Sequence, residues 1–184
     1  MRRKSPTRRR NERGFTLTEM LIATVIVIFG LVAVAQLVPA SVTLSANNRS
    51  DGTALAFAQR QMEALRAQPL AVLSFTDSTG VSCFPAGQIC NLGDPTQTGF
   101  VGSNVVPNSY GAPIIDFSAT AVANYSFTYL DPNDPANAPY DVRWAVATTT
   151  RGSLVTGRRI IVGVFRRGME TPTLPITLDT MVEK

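Results

Sequence analysis

A lone carboxylate, a pair of thiols, an oxygen-rich turn and a run of arginines are the groups in this chain with the means to do chemistry. Glu19 is the only charge between Phe15 and Val38, in the run FTLTEMLIATVIVIFGLVAVAQLV. A carboxylate in such a stretch costs about 2.5 to 3.5 kcal/mol to place in a bilayer, so Glu19 calls for a positive partner. Cys83 and Cys90 are the only cysteines, and they bracket Phe84 to Ile89. Their C-x6-C spacing suits neither a zinc site nor a C-x-x-C redox pair, whereas a disulfide would cross-link a loop-rich region. Asp131, Asn133 and Asp134 gather oxygen ligands in DPNDPAN. They form a candidate calcium loop without the glycine and terminal glutamate of an EF-hand; a proline-rich turn between strands is the other reading. Arg158, Arg159, Arg166 and Arg167 form the fourth group, a candidate interaction surface. The chain has no histidine, which excludes Ser-His-Asp and Cys-His mechanisms, and outside the N-terminal segment Lys184 is the only lysine available to a Ser-Lys dyad. No paired-carboxylate motif is evident, so no enzymatic activity and no cofactor are expected.

The elements that must carry these groups begin with a helix. Phe15 to Val38 is 24 residues, roughly 36 Å as an α-helix and enough to cross a bilayer. The first fourteen residues hold seven Lys or Arg against Glu12 alone, which predicts a cytoplasmic N-terminus and a single-pass chain with its C-terminal part outside. The apolar run is too long for a cleaved secretory signal, and no A-x-A-like site follows it cleanly. Both cysteines then fall outside the cytoplasm, where disulfides persist. Helical periodicity resumes in TALAFAQRQMEALRAQ, with Leu55, Ala58, Met62 and Leu65 on one apolar face and Arg60, Gln61, Glu63 and Arg66 on others. One long helix from about Phe15 to Gln68 is predicted, stopped by Pro69, with a kink near Ala35 to Pro39 and weak points at Gly30 and Gly52.

Gly14-Phe15-Thr16-Leu17-Thr18-Glu19 followed by an apolar run resembles the class III signal of type IV pilins and pseudopilins. The resemblance implies a leader of residues 1–14, cleavage between Gly14 and Phe15 by a prepilin peptidase, and methylation of the new Phe15 amine. Glu19 then becomes the fifth residue of the mature chain, paired with the N-terminal amine of a neighbouring subunit, which supplies the positive partner that its burial demands. The implied partners are major and minor pilins, the peptidase, the inner membrane and its assembly platform; the implied location is the inner membrane, then the pilus or cell surface. The helix-breaking proline common in major pilins would align with Gln36, three residues before Pro39, and is missing at that position. Ala54 to Arg66 resembles the PilV-class minor pilins and a related secretion pseudopilin. Two further roles within the family are a type II secretion pseudopilin and a DNA-binding competence pilin.

Residues 69–184 change to Gly, Pro, Asn, Ser and Thr punctuation around short apolar runs, a β-rich domain long enough for one core. Residues 80–115 are rich in breakers and predict a long surface loop or irregular insertion. Tyr125, Phe127 and Tyr129 alternate with polar residues, as do Tyr140, Val142, Trp144 and Val146, which predicts strands with one buried face. Arg159 to Arg166 is apolar on both faces and predicts a central strand. The expected architecture is α+β: an antiparallel meander on the amphipathic helix half. The expected domains are the leader at 1–14, a membrane and filament-core helix at 15–38, its amphipathic half at 39–68, and a periplasmic β-rich domain at 69–184.

Charge separates the leader from the remainder. The whole chain is +4 from 17 basic and 13 acidic side chains, but beyond Gly14 there remain ten basic against twelve acidic, a net −2. Overall basicity is therefore no argument for nucleic acid. Between Ala67 and Asp141 six acids stand without a base; between Val142 and Met169 six arginines stand without an acid. Three consequences are open: neutralisation within the subunit, complementary faces on successive subunits, or an arginine-bearing hairpin that binds DNA backbone.

Overall fold

The computed structural model describes residues 15–83, 90–132, 138–168 and 174–183. The chain divides into two units, the first ending at Asn47 and the second beginning at Asn48. Helix α1, Leu17–Arg66, starts in the first and ends in the second.

In the first unit Thr16 caps the helix: its carbonyl accepts the N–H groups of Glu19 and Met20, both at 3.1 Å, and its Oγ1 accepts that of Glu19 at 3.3 Å. Glu19 thus lies in the first turn, where the helix dipole favours a carboxylate. The hydroxyls of Thr24, Ser41 and Thr43 donate to the carbonyls of Met20, Val38 and Ala40. These back-bonds let a helix carry Ser and Thr into an apolar medium without orphaned hydroxyls. The helix runs on through Gly30 and Pro39 without a break, so the weak points expected from sequence do not divide it. From Phe15 to Leu44 the large apolar side chains are exposed on all sides, and this is the one described helix long and apolar enough to cross a membrane.

In the second unit the last turns of α1 bury Ser50, Ala54, Ala58, Gln61, Met62 and Leu65. The buried face is therefore turned slightly from the one read in the sequence: Ala54 lies inside and Leu55 is 37% exposed. Gln61, expected on a polar face, is buried because its Oε1 accepts the Ser78 N–H at 2.8 Å. Small residues at 50, 54 and 58 let the helix backbone approach the sheet, while Met62 and Leu65 each contribute about 1.5 to 3 kcal/mol on burial.

Nine strands are present among the described residues: β1 (Phe75–Thr76), β2 (Ser82–Cys83), β3 (Phe100–Gly102), β4 (Val105–Pro107), β5 (Pro113–Ile115), β6 (Ser126–Leu130), β7 (Pro139–Arg151), β8 (Leu154–Arg166) and β9 (Ile176–Glu183). The main sheet is antiparallel in the order β3-β7-β8-β9, with β6 also on β7. Strand β8 is central, as its two apolar faces predicted. Both β6 and β3 pair along one edge of β7, and Trp144 lies between them. Its N–H donates to the Tyr125 carbonyl at 3.0 Å and its own carbonyl accepts the Ser103 N–H at 2.9 Å. Gly102, at φ 110°, is confined there because a Cβ would run into the Tyr125 ring and the Trp144 carbonyl.

One face of the sheet meets α1 through Tyr140, Val142, Trp144, Val146, Ile160, Val162 and Val164. The other was expected to be solvated along β7, yet Asp141, Arg143 and Ala145 are buried too. The cover comes from residues 80–115 and just beyond, which are not simply a surface loop. Hairpin β4-β5 lays Ile115 on Ala145 and Ile161, flanked by Val105 and Phe117. Gly163 makes room for it: a Cβ there would stand 2.8 Å from that of Ile115. Strand β9, which the sequence reading did not pick out, forms the far edge.

Candidate functional site

Gly14 lies outside the described residues, as do Asn133 and Asp134. Phe15 is 78% exposed just ahead of α1, and Glu19 is exposed in the first turn. Residue 15 and the carboxylate are thus both presented to the surroundings at the helix N-terminus, in the unit whose apolar side chains have no core of their own.

Cys83 and Cys90 form a disulfide with Cα atoms 5.6 Å apart, and both are buried. Closing so short a loop stabilises the fold by about 2.5 kcal/mol through lost unfolded-state entropy. The bridge holds β2 next to Asn91, whose backbone N–H donates to the Tyr125 hydroxyl at 2.5 Å and whose carbonyl accepts from it at 2.9 Å. Burial pushes that hydroxyl up to about 12, although its bond to Asn91 pulls the other way.

The four candidate arginines do not make one surface. Arg158 is fully buried. Its Nη1 donates to Pro69 O at 2.7 Å, and its Nη2 to Leu65 O at 2.6 Å, Gln68 O at 2.7 Å and Arg66 O at 3.4 Å. A strand arginine thus caps the carbonyls that the helix C-terminus leaves open, where a cation is also favoured by the dipole. Desolvation pulls its pKa down from the usual arginine value. As an outward contact residue Arg158 is therefore a correction: burial removes it from any partner. Arg159 pairs with Asp179 on β9, its Nε donating at 3.0 and 3.1 Å, and that bond holds its pKa above the usual value. Arg167 donates to Asp141 Oδ2 at 2.6 and 3.0 Å. The Arg166 guanidinium lies 5.9 Å over the Tyr140 ring.

Asp141 also receives Arg143, at 2.9 to 3.1 Å. Arg143 in turn donates to the carbonyls of Ala119 at 2.7 Å and Asp116 at 3.3 Å and lies 5.1 Å over the Phe117 ring, which fastens that segment to the sheet. The acids of the preceding half bracket turns instead. Asp77, Asp94 and Asp116 each accept the N–H and hydroxyl of the Thr or Ser two residues on. Those bonds hold the Asp94 and Asp116 carboxyls below their usual value. D-x-[ST], which beyond the helix recurs at Asp77, Asp94 and Asp116, was a sequence signal for this use. Of the segregated charges, Asp77, Asp94 and Asp116 thus close turns, Arg143 ties the Asp116 turn to the sheet, and Arg158 caps the helix end. Asp131, the described member of the calcium candidate, is half-buried, and among the described residues no three His, Cys, Asp or Glu side chains gather around a point where a metal could sit.

Residues 9–35 match the family described as the prokaryotic N-terminal methylation motif. No curated protein matches the chain, and no solved structure matches it. The match takes in Gly14, Phe15, Glu19 and all but the last three residues of the apolar run, a class III signal that supports processing by prepilin peptidase. This chain therefore carries the N-terminal methylation motif on an exposed apolar helix, consistent with the type IV pilin-like family, whose members are structural subunits.

Proposed function

We propose that this chain is a minor subunit of a type IV pilus, cut after Gly14, methylated on Phe15, and assembled into the filament or used to prime it. The observation that carries this is the methylation motif on a helix whose apolar half is exposed on every side. Such a helix needs lipid first and neighbouring helices afterwards, since a lone span of this kind cannot satisfy itself in water. Glu19 at the N-terminal turn is the acceptor for a neighbour's Phe15 amine. The seven basic residues before the span hold the N-terminus in the cytoplasm, which puts the second unit and its disulfide in the periplasm. The partners are other pilins and the inner-membrane assembly platform.

Nucleic acid is not part of this reading. A phosphate-binding array needs free cations, whereas Arg158 is buried and Arg159 and Arg167 are held by Asp179 and Asp141.

The test is intact mass and N-terminal sequencing of the chain from cells with a prepilin peptidase, together with deletion of the gene. A chain that begins at methylated Phe15, with surface pili lost on deletion, supports the proposal. Retention of Met1 to Gly14 overturns it. Loss of protein secretion with pili intact moves the subunit to a secretion pseudopilus.

A further inference from the structure

Strand β9 ends the sheet, and the direction of its backbone groups follows residue by residue from Trp144. On β7, Trp144 turns both its N–H and its carbonyl away from β8, to Tyr125 O and Ser103 N. In an antiparallel ladder a residue turns both groups to one side and its neighbours turn theirs to the other. Val162, opposite Trp144, therefore turns its pair towards β9, where its partner is Leu178. Alternation along β9 then sends the N–H and C=O groups of Thr177, Asp179, Met181 and Glu183 outwards. Among the described residues no strand pairs with that edge and no backbone hydrogen bond reaches it.

Proteins blunt exposed edges with Pro, Lys, a bulge or a very short strand. Ile176–Glu183 is eight residues long without Pro or Lys, and its register with β8 runs unbroken from Gly157 to Val164. On the face towards α1, Ile176, Leu178 and Val182 pack against the core yet are only half-buried. On the other face Met181 is 51% exposed. A row of open donors and acceptors beside half-covered apolar side chains is matched by an extended strand, whose backbone supplies the complementary row.

Charge decides whose strand. On the Met181 face Asp179 is answered by Arg159, while Glu183 is exposed and has no cation beside it among the described residues. A second β9 laid antiparallel on this edge would bring Asp179 and Glu183 opposite or diagonal to the same acids, which is unfavourable. A strand that carries Lys or Arg at that position is favoured instead.

We infer that the outer edge of β9 takes an added strand from a different subunit of the filament, apolar on the face towards α1 and basic opposite Glu183. The contact rests on the assembly reading above and gives this subunit a backbone-paired joint to an unlike neighbour, separate from the helices.

The test uses the full chain in its own cells, as two differently tagged copies, with a diazirine analogue of methionine in place of Met181. Illumination should join it to another chain that carries a class III signal, through a peptide containing Lys or Arg beside an alternating apolar run. Glu183→Lys, a surface change, should lower the yield about fivefold by setting cation against cation. Thr177→Pro removes one outward N–H and no bond to β8, a substitution that edge strands tolerate, and should lower it about tenfold. Thermal unfolding in detergent checks that each variant folds, and if Thr177→Pro does not, Glu183→Lys alone decides. Adducts between the two tags, adducts to a chain without the signal, no adduct, or a yield unchanged by either folded variant would each overturn the inference. The N-terminal mass of the same sample keeps the two readings apart. A chain that begins at Phe15 but gives no adduct sinks the edge contact alone, and a chain that keeps residues 1–14 yet gives the adduct sinks the filament reading alone.

Discussion

Arg158→Met should destabilise the second unit by about 3 kcal/mol, and the sum can be followed from the structure. The side chain has no exposure and its guanidinium holds three carbonyls at 2.6 to 2.7 Å, those of Leu65, Gln68 and Pro69. Each acceptor left unsatisfied in the interior costs about 1 to 3 kcal/mol, roughly 6 in total. Against this stands the relief of a buried cation, whose effective desolvation amounts to several kcal/mol; the unpartnered Nε shows that Arg158 is not fully repaid by hydrogen bonds. Methionine fills most of the volume, so the cavity term is small. Arg158→Lys should lose about half as much, because an ammonium can reach some but not all of the three carbonyls. The assay is thermal unfolding of the detergent-solubilised full chain, followed by the fluorescence of Trp144, the only tryptophan. For a unit of this size about 3 kcal/mol corresponds to a fall in Tm of roughly 10 °C. The loss should be the same at low and high salt, since a buried contact is poorly screened. A methionine variant within about 0.5 kcal/mol of the parent, or a loss abolished by salt, would refute the capping role.

Three other outcomes are expected. Stability should be flat up to pH 10 and then fall by about 1.4 kcal/mol per pH unit towards 12, because unfolded tyrosine ionises near 10 while Tyr125 holds its proton to about 12. Tyr125→Phe should lower the plateau by about 1 to 3 kcal/mol through the unpaired Asn91 backbone and remove that part of the alkaline slope; parallel alkaline limbs in the two proteins would contradict the assignment. Gly163→Ala should cost about 1 to 3 kcal/mol by pressing on Ile115 and Phe117, read as a lowered urea midpoint with near-normal m; an unchanged midpoint would contradict the close approach. Reduction of Cys83–Cys90 should cost about 2.5 kcal/mol and expose the amides next to Asn91 to hydrogen exchange before those of β7 and β8; uniform exchange would mean that the bridge is not local in its effect.

The N-terminal half of α1 was legible because membranes and helix ends impose rules on consecutive residues. A 24-residue apolar run, the flanking arginines and Glu19 in position carry their meaning without distant contacts. Strand β8 could be placed centrally for the same reason, its apolar residues falling on both faces of a period-two pattern. The amphipathic stretch was nearly right, and the one-residue turn from Leu55 to Ala54 shows what periodicity lacks: it counts hydrophobicity, whereas the sheet selected small residues that let two backbones meet.

What only the tertiary structure decided is which partner each polar group found. In sequence, Arg158, Arg159, Arg166 and Arg167 are equivalent, yet Arg158 is sealed against the helix end at Arg66, 92 residues before it, and Arg159 meets Asp179 on a strand the periodicity did not reveal. The breaker-rich segment at 80–115 looked like surface because its strands are three residues or fewer, too short to show a period. Its burial of Ile115 against Ala145 and Ile161 depends on side chains 30 and 46 positions further along the chain. Local chemistry wrote the membrane segment and its processing signal into adjacent residues; the pairing of charges and the covering of the second sheet face are long-range choices, fixed only when the chain folds back on itself.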